Sequence, residues 1–220
     1  MYEVTRLIHL APDTGPGVLD ILLTALRAAV DGAHALVEPT LPGVRNGGDV
    51  LLRLSCTDAV SGRAVTDRVA EVCGRGEVLR VDGADHRPGV RGTAEQRSSG
   101  TVFRTLLLRA NPATPAHTLA EFEADLLRMP GYIPTIRAWR LSRVDRAVGA
   151  TEWTHVWEQE FTDLDGLAGA YLAHPVHWGL VDRWFDPECP ESIVRDRICH
   201  SFCARTRPVL SVSAAPGPLP

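Results

Sequence analysis

Residues 152–161 read EWTHVWEQEF, residues 163–172 read DLDGLAGAYL, and residues 173–178 read AHPVHW. The first piece alternates and predicts a strand with Trp153, His155, Trp157, Gln159 and Phe161 on one face. The second predicts a helix capped by Asp163, which Pro175 should break or kink because proline has no amide hydrogen. The third places His174 and His177 just beyond Tyr171, at the broken end of that helix. An unbroken helix would carry Tyr171 and His177 far apart round its axis, so the break is what can bring them together. Imidazole gives and takes protons near neutral pH. A nearby phenol can orient it or hold a developing oxyanion.

Outward from this stretch, the second half of the chain reads as one βαββαβ order. Strands are expected at 102–109, 136–144, 153–161 and 193–203. A helix runs to Met129 from a Thr114 N-cap with Pro115 in its first turn, and a short helical piece spans 178–185. The first half repeats the plan, with strands at 2–10, 33–41, 49–56 and 77–81 and helices at 17–30 and 59–73. Residues 87–100 are rich in Gly, Ser, Arg and Pro without an apolar period and read as a linker. The expected fold is therefore α+β, two ferredoxin-like βαββαβ units. Their bare sheet faces need cover, and packing them sheet to sheet gives a dimeric-type α/β barrel. The units are expected over residues 1–90 and 101–205, with a disordered tail over 206–220.

Composition limits the function. The 220-residue chain is 45% hydrophobic and 23% charged, as in ordinary globular proteins. A net charge of −4 argues against nucleic acid as a partner. Neither a signal peptide nor a membrane span is apparent, so a cytoplasmic location is expected. The five Cys are odd in number and lack framework spacing, which favours reduced thiols. Strand alternation would point Cys199 and Cys203 one way and His200 the other, against a metal site there. No metal is expected.

The 152–161 strand, the 163–172 helix and the His174-Pro175-Val176-His177 turn resemble the stress-responsive dimeric α/β-barrel (Dabb) family. The resemblance covers roughly residues 102–203. One member is a plant polyketide cyclase whose acid/base pair is the Tyr and the last His of this motif. By position these would be Tyr171 and His177. The first half has no Tyr and no His-Pro-x-His in its second helix and looks like a degenerate copy, so one site per chain is expected. The two-unit arrangement also resembles angucycline ring-opening oxygenases of aromatic polyketide pathways. That resemblance implies oxidative C–C bond cleavage in a polycyclic quinone or hydroquinone. It further implies reduced flavin (FADH2 or FMNH2) as a diffusible co-substrate with O2, and a separate flavin reductase.

The candidate catalytic residues are accordingly His177 as base, Tyr171 as acid or oxyanion donor, and His174, which either takes part or shapes the turn. Substrate-binding candidates are Trp153, His155, Trp157, Trp178, Arg104 and His200. The Trp/His face of the 153–161 strand suits a flat aromatic ligand; otherwise it packs the sheet–sheet interface, with His155 hydrogen-bonded there. No Gly-rich phosphate loop stands in the right context, so no tightly bound cofactor is expected. Three readings follow: an oxygenase tailoring an aromatic polyketide in antibiotic biosynthesis, a cyclase using the His/Tyr pair, and a non-catalytic stress or ligand-binding module. The barrel could close within a monomer or across a homodimer.

Overall fold

The computed structural model describes residues 1–94, 100–194 and 197–210. Parts of the expected linker, last strand and tail lie outside these residues. In the first unit, β1 (Tyr2–Leu10), α1 (Val18–Ala29), β2 (His34–Pro39), β3 (Val50–Cys56), α2 (Ala59–Cys73) and β4 (Val78–His86) follow the expected order. Asp58 caps α2 by accepting the amides of Val60 and Ser61 at 2.8 and 2.9 Å. The second unit comprises β6 (Val102–Leu108), α3 (Ala116–Tyr132), β7 (Ile136–Arg143), β9 (His155–Phe161) and β10 (Cys199–Ala204). Two short strands complete the set, β5 (Val90–Thr93) and β8 (Arg146–Val148).

Both sheets are antiparallel and five-stranded, in the orders β2-β3-β1-β4-β8 and β10-β6-β9-β7-β5. Each holds the four strands of a ferredoxin-like unit and one strand from elsewhere. The β5 strand comes from the stretch expected as a linker and pairs with β7, whereas β8 comes from the second half and pairs with β4. The edges are thus exchanged across the units.

Apolar residues sort into three layers. One cluster lies between α1, α2 and the first sheet, around Val4, Ile8, Leu26, Leu52 and Val69. A second lies beneath α3, around Phe122, Leu126, Trp157, Phe161 and Trp184. The third joins the bare faces of the two sheets, where Leu7, Leu51 and Ala84 meet Phe103, Leu107, Val156 and Cys203. The sheets pack face to face inside this one chain, as expected.

That inner face is not purely apolar. Glu158, with no exposed surface, meets Arg53 at 3.0 Å, and Arg53 also meets Glu3 at 2.5 Å. Arg140 reaches Glu3 at 2.9 Å and Glu158 at 4.0 Å. Two carboxylates and two guanidiniums from both sheets therefore compensate one another in the dry centre.

The C-terminal stretch differs from the expected tail from its start. Val209 and Leu210 are buried in the inter-sheet layer. Their amides donate to Glu160 Oε1 at 2.6 and 2.8 Å, and Arg205 pairs with Glu160 at 2.7 Å. Apolar burial and a buried carboxylate seeking donors hold this segment in place. Leu210→Ala is expected to cost about 2 kcal/mol of stability, checked by urea unfolding; a cost near zero would mean the segment does not pack in solution.

One further departure is local. Pro115, not Thr114, occupies the N-cap of α3, and no side chain caps it.

Candidate active site

The strand β9 is buried along its whole length. Its register with β6 sets Trp157 opposite Leu106, Gln159 opposite Arg104 and Phe161 opposite Val102. These side chains therefore share a face, and that face lies under α3 and the segment that follows β9, not in the sheet–sheet interface. Neither expected setting was quite this one.

That following segment is not an ordinary α-helix. Gly166–Tyr171 forms one π-helical turn and His177–Val181 another, ending in a 3₁₀ turn at Asp182–Trp184. Asp163 Oδ1 accepts the Gly166 amide at 2.7 Å and starts the first turn. Two glycines within Gly166–Tyr171 lower the steric cost of the wide turn, and such turns recur at functional sites. Leu167 and Tyr171 point inward, at 1% and 2% exposure. The chain then bends at Pro175, and the Tyr171 and His177 rings meet edge to face with centroids 4.8 Å apart. The proline break has brought the pair together, as expected from the spacing.

Arg104 closes the group from below. Its Nη1 donates to Gln159 Oε1 and, at 3.2 Å, to the Tyr171 hydroxyl, and its guanidinium lies 5.1 Å from the Tyr171 ring centroid. His200 sits opposite Leu106 on β10, on the same face. Phe161 packs against Tyr171 at 5.3 Å. Arg104, Tyr171, His177 and His200 therefore assemble into one constellation, with Gln159 and Trp157 beside them.

Burial sets the protonation states. It pushes His177 below the usual imidazole value; Arg104 adds to this, and Asp182, 3.6 Å from His177 Nδ1, opposes it. His200 is pushed down to about 2, by burial first and then by Arg104 and His177. Tyr171 is raised above 10 by burial, against the pull of Arg104. At neutral pH the site holds two neutral imidazoles, a neutral phenol and a cation. A neutral imidazole touching solvent, with its side chain 19% exposed, can accept a proton.

Other expected site residues lie elsewhere. Trp153 precedes the strand and packs between the sheets, so it cannot line this site. His155 is fixed by Glu123 at 3.1 Å and Thr154 at 2.8 Å, and it ties β9 to α3. Trp178 is 61% exposed and points away, its indole N–H 3.4 Å from the Ala173 carbonyl. It was expected to bind substrate, and its exposed position on the outer side of the His177–Val181 turn removes it from the site. His174 Nδ1 accepts the Val176 amide at 3.1 Å, so it shapes the turn.

Sequence reasoning missed the contribution of the first unit. Its β2–β3 loop folds over β10, with Arg45 and His200 exchanging backbone hydrogen bonds at 2.9 and 2.8 Å. Asn46 Nδ2 donates to the Ile198 carbonyl at 3.1 Å. At Gly47 a Cβ would stand 2.6 Å from the His200 carbonyl oxygen, so only glycine fits. The Gly43–Gly48 cluster of glycines was the available signal.

A cleft of about 510 Å³ lies between β2, the end of α1 and residues 206–209. Its Arg27 and Arg53 are already paired with Glu38 and with Glu3 and Glu158. A second, of about 300 Å³, lies beside Glu123 and Arg143. Neither lining includes the Arg104–Tyr171–His177 group. Among the described residues no group of three or more His, Cys, Asp or Glu is placed to hold a metal, and no helix is long and apolar enough to cross a membrane.

Two ferredoxin-like units packed sheet to sheet make a dimeric-type α/β-barrel fold. Residues 102–199 match the family described as Stress responsive A/B Barrel Domain. No curated protein matches the chain in sequence. Among solved structures, an anthrone oxidase-like protein superposes with a TM-score of 0.67 at 12% identity, covering 94% of this chain and 91% of its own. A candidate monooxygenase from Lactobacillus acidophilus NCFM gives 0.52 at 8% identity, with 91% of both chains covered. A chlorite dismutase variant from Candidatus Nitrospira defluvii gives 0.55 at 10% identity over 94% and 91%. At these identities the likeness is one of fold over nearly the whole chain, both units included.

Proposed function

We propose that the chain is an oxygenase tailoring an aromatic polyketide, acting on a polycyclic quinone or hydroquinone of the angucycline type with oxidative C–C bond cleavage. The observation that carries this reading is the Tyr171–His177 contact above buried Arg104, which sets a neutral base beside a phenol and a cation. In this mechanism His177 takes the proton of a substrate phenol. Tyr171 donates to the oxygen as negative charge develops there, and the Trp157 and Phe161 rings pack beneath the aromatic system. The anion so formed is electron-rich enough to react with oxygen. The names of two structural neighbours, anthrone oxidase-like and monooxygenase, support an oxidase or oxygenase in the same fold.

Insertion of one oxygen atom leaves the other to be reduced to water, which takes two electrons. Reduced flavin from a separate reductase supplies them. In this reading flavin enters as a diffusible reagent. The partners are then the small aromatic substrate and that reductase.

The test incubates the protein with a polycyclic hydroquinone, NADH, flavin and a flavin reductase, following oxygen uptake and products by mass spectrometry. Oxygen-dependent product containing one atom from ¹⁸O₂ is expected. Equal product under strict anaerobiosis would sink the oxygenase reading and leave the cyclase, which the same Tyr171–His177 contact would serve by abstracting a carbon-bound proton. No turnover, together with no thermal shift from any aromatic ligand, would favour the non-catalytic module.

A further inference from the structure

The first strand of each unit carries an arginine at the same place. Arg6 in β1 and Arg104 in β6 each stand four residues before the strand's end, on the face beneath their own unit's helices. They are buried alike, at 5% and 4% exposure. Their surroundings differ. Arg6 meets the carboxylate of Asp85 at 2.7 Å, and that carboxylate also takes the Tyr2 hydroxyl at 2.8 Å and Arg146 Nε at 2.7 Å. Arg104 meets only the Gln159 amide and the Tyr171 hydroxyl, and no carboxylate among the described residues pairs with it.

A guanidinium cannot shed its charge when buried. Its phenol neighbour stays protonated, because burial raises Tyr171, and the imidazoles beside it carry no negative charge at any pH. Among the described residues Arg104 is therefore a buried cation with no carboxylate paired to it; Asp182 acts on its neighbours Tyr171 and His177 but makes no ion pair with Arg104. Among the described residues, further polar atoms buried without partners on the same face include Arg104 Nε, Gln159 Nε2, His200 Nε2 and Trp157 Nε1. Removal of such groups from water is costly unless something completes them.

We infer that Arg104, with Gln159 and His200, forms a receptor for an oxyanion of the aromatic ligand, a phenolate or enolate. The ligand's aromatic character rests on the function proposed above; the need for an anion rests on Arg104 alone. The receptor lowers the pH at which the bound phenol ionises, and His177 carries the proton away.

Alizarin tests this, because its neutral and monoanionic forms differ in colour. Bound to the protein, it should ionise at a pH at least about one unit below that of free alizarin, a preference of tenfold or more for the anion. Arg104→Met should abolish the shift and Arg104→Lys should keep part of it. Failure of alizarin to bind, binding without a shift, or an unchanged shift in Arg104→Met each overturns the receptor. A second readout needs no ligand. Arg104→Met should melt no lower than the parent, since it removes an uncompensated charge, whereas Arg6→Met should melt lower because it takes a partner from Asp85. Equal losses in both variants would mean that Arg104 has a counter-ion, and would overturn the inference. A normal shift without any oxygen uptake would remove the oxygenase reading and leave the receptor standing.

Discussion

Replacing His177 with Ala is expected to slow product formation by about 10²-fold or more, the usual contribution of a positioned base. Alizarin binding should persist, because Arg104 and Gln159 remain. The pH profile gives an independent check. Burial and Arg104 lower the pKa of His177, so the imidazole is neutral, and competent as a base, at pH 7. Activity should therefore be level near neutrality and fall only as the pH drops through a value below 6.5. Asp182 opposes the lowering, so Asp182→Asn should move that acid limb to still lower pH. His177→Ala should erase the limb altogether. A variant with unchanged rate, or with the same acid limb, would take His177 out of the mechanism.

The second large effect concerns stability. Glu158→Gln should cost about 3–5 kcal/mol, the usual penalty for breaking a buried ion pair from one side. Among the described residues Glu3 would then be the carboxylate left paired with both Arg53 and Arg140. For a chain of this size that loss corresponds to a melting temperature lower by roughly 10 °C. Burial alone would raise the pKa of Glu158, but Arg53, with His86 and Arg140, outweighs it and holds the carboxyl below 4.5. A depressed carboxylate stabilises the fold above its unfolded pKa, and that stability is lost as the pH falls through the folded value. The parent should thus lose stability steeply below about pH 4, and the Gln variant should lose less over the same range. A cost under about 1 kcal/mol would mean that water reaches the cluster.

Much of the fold was legible in the sequence. The bounds of β1 and α2 follow from apolar period and turn residues alone, because both elements satisfy their own local preferences. The short strands β5 and β8 were not legible. Three or four residues carry no period, and their pairing depends on an edge supplied by the other unit. Glu158 and Glu160 show a different difficulty. Alternation beside Trp157 and Phe161 reads as a strand with a wet face, whereas these carboxylates face arginines in the dry inter-sheet layer.

The site was half legible. Tyr171 and His177 follow from Pro175, whose missing amide hydrogen ends a helix whatever surrounds it. Trp178 was misplaced because its neighbour His177 already takes the inward position at the start of the turn, which leaves the indole exposed. Trp153 was misplaced because the strand starts two residues later than the alternation does. What isolates Arg104 is that no carboxylate among the described residues pairs with it, and that emerges only when the two units are set side by side.

The exchanged edges bear on how such a chain could be divided. A fragment ending after β4 would leave that strand's outer hydrogen-bonding groups bare, and one starting at β6 would do the same to β7. Exposed strand edges recruit other chains. Expressed apart, the halves should clump more readily than serve as modules, because each leaves a strand edge that the other now covers.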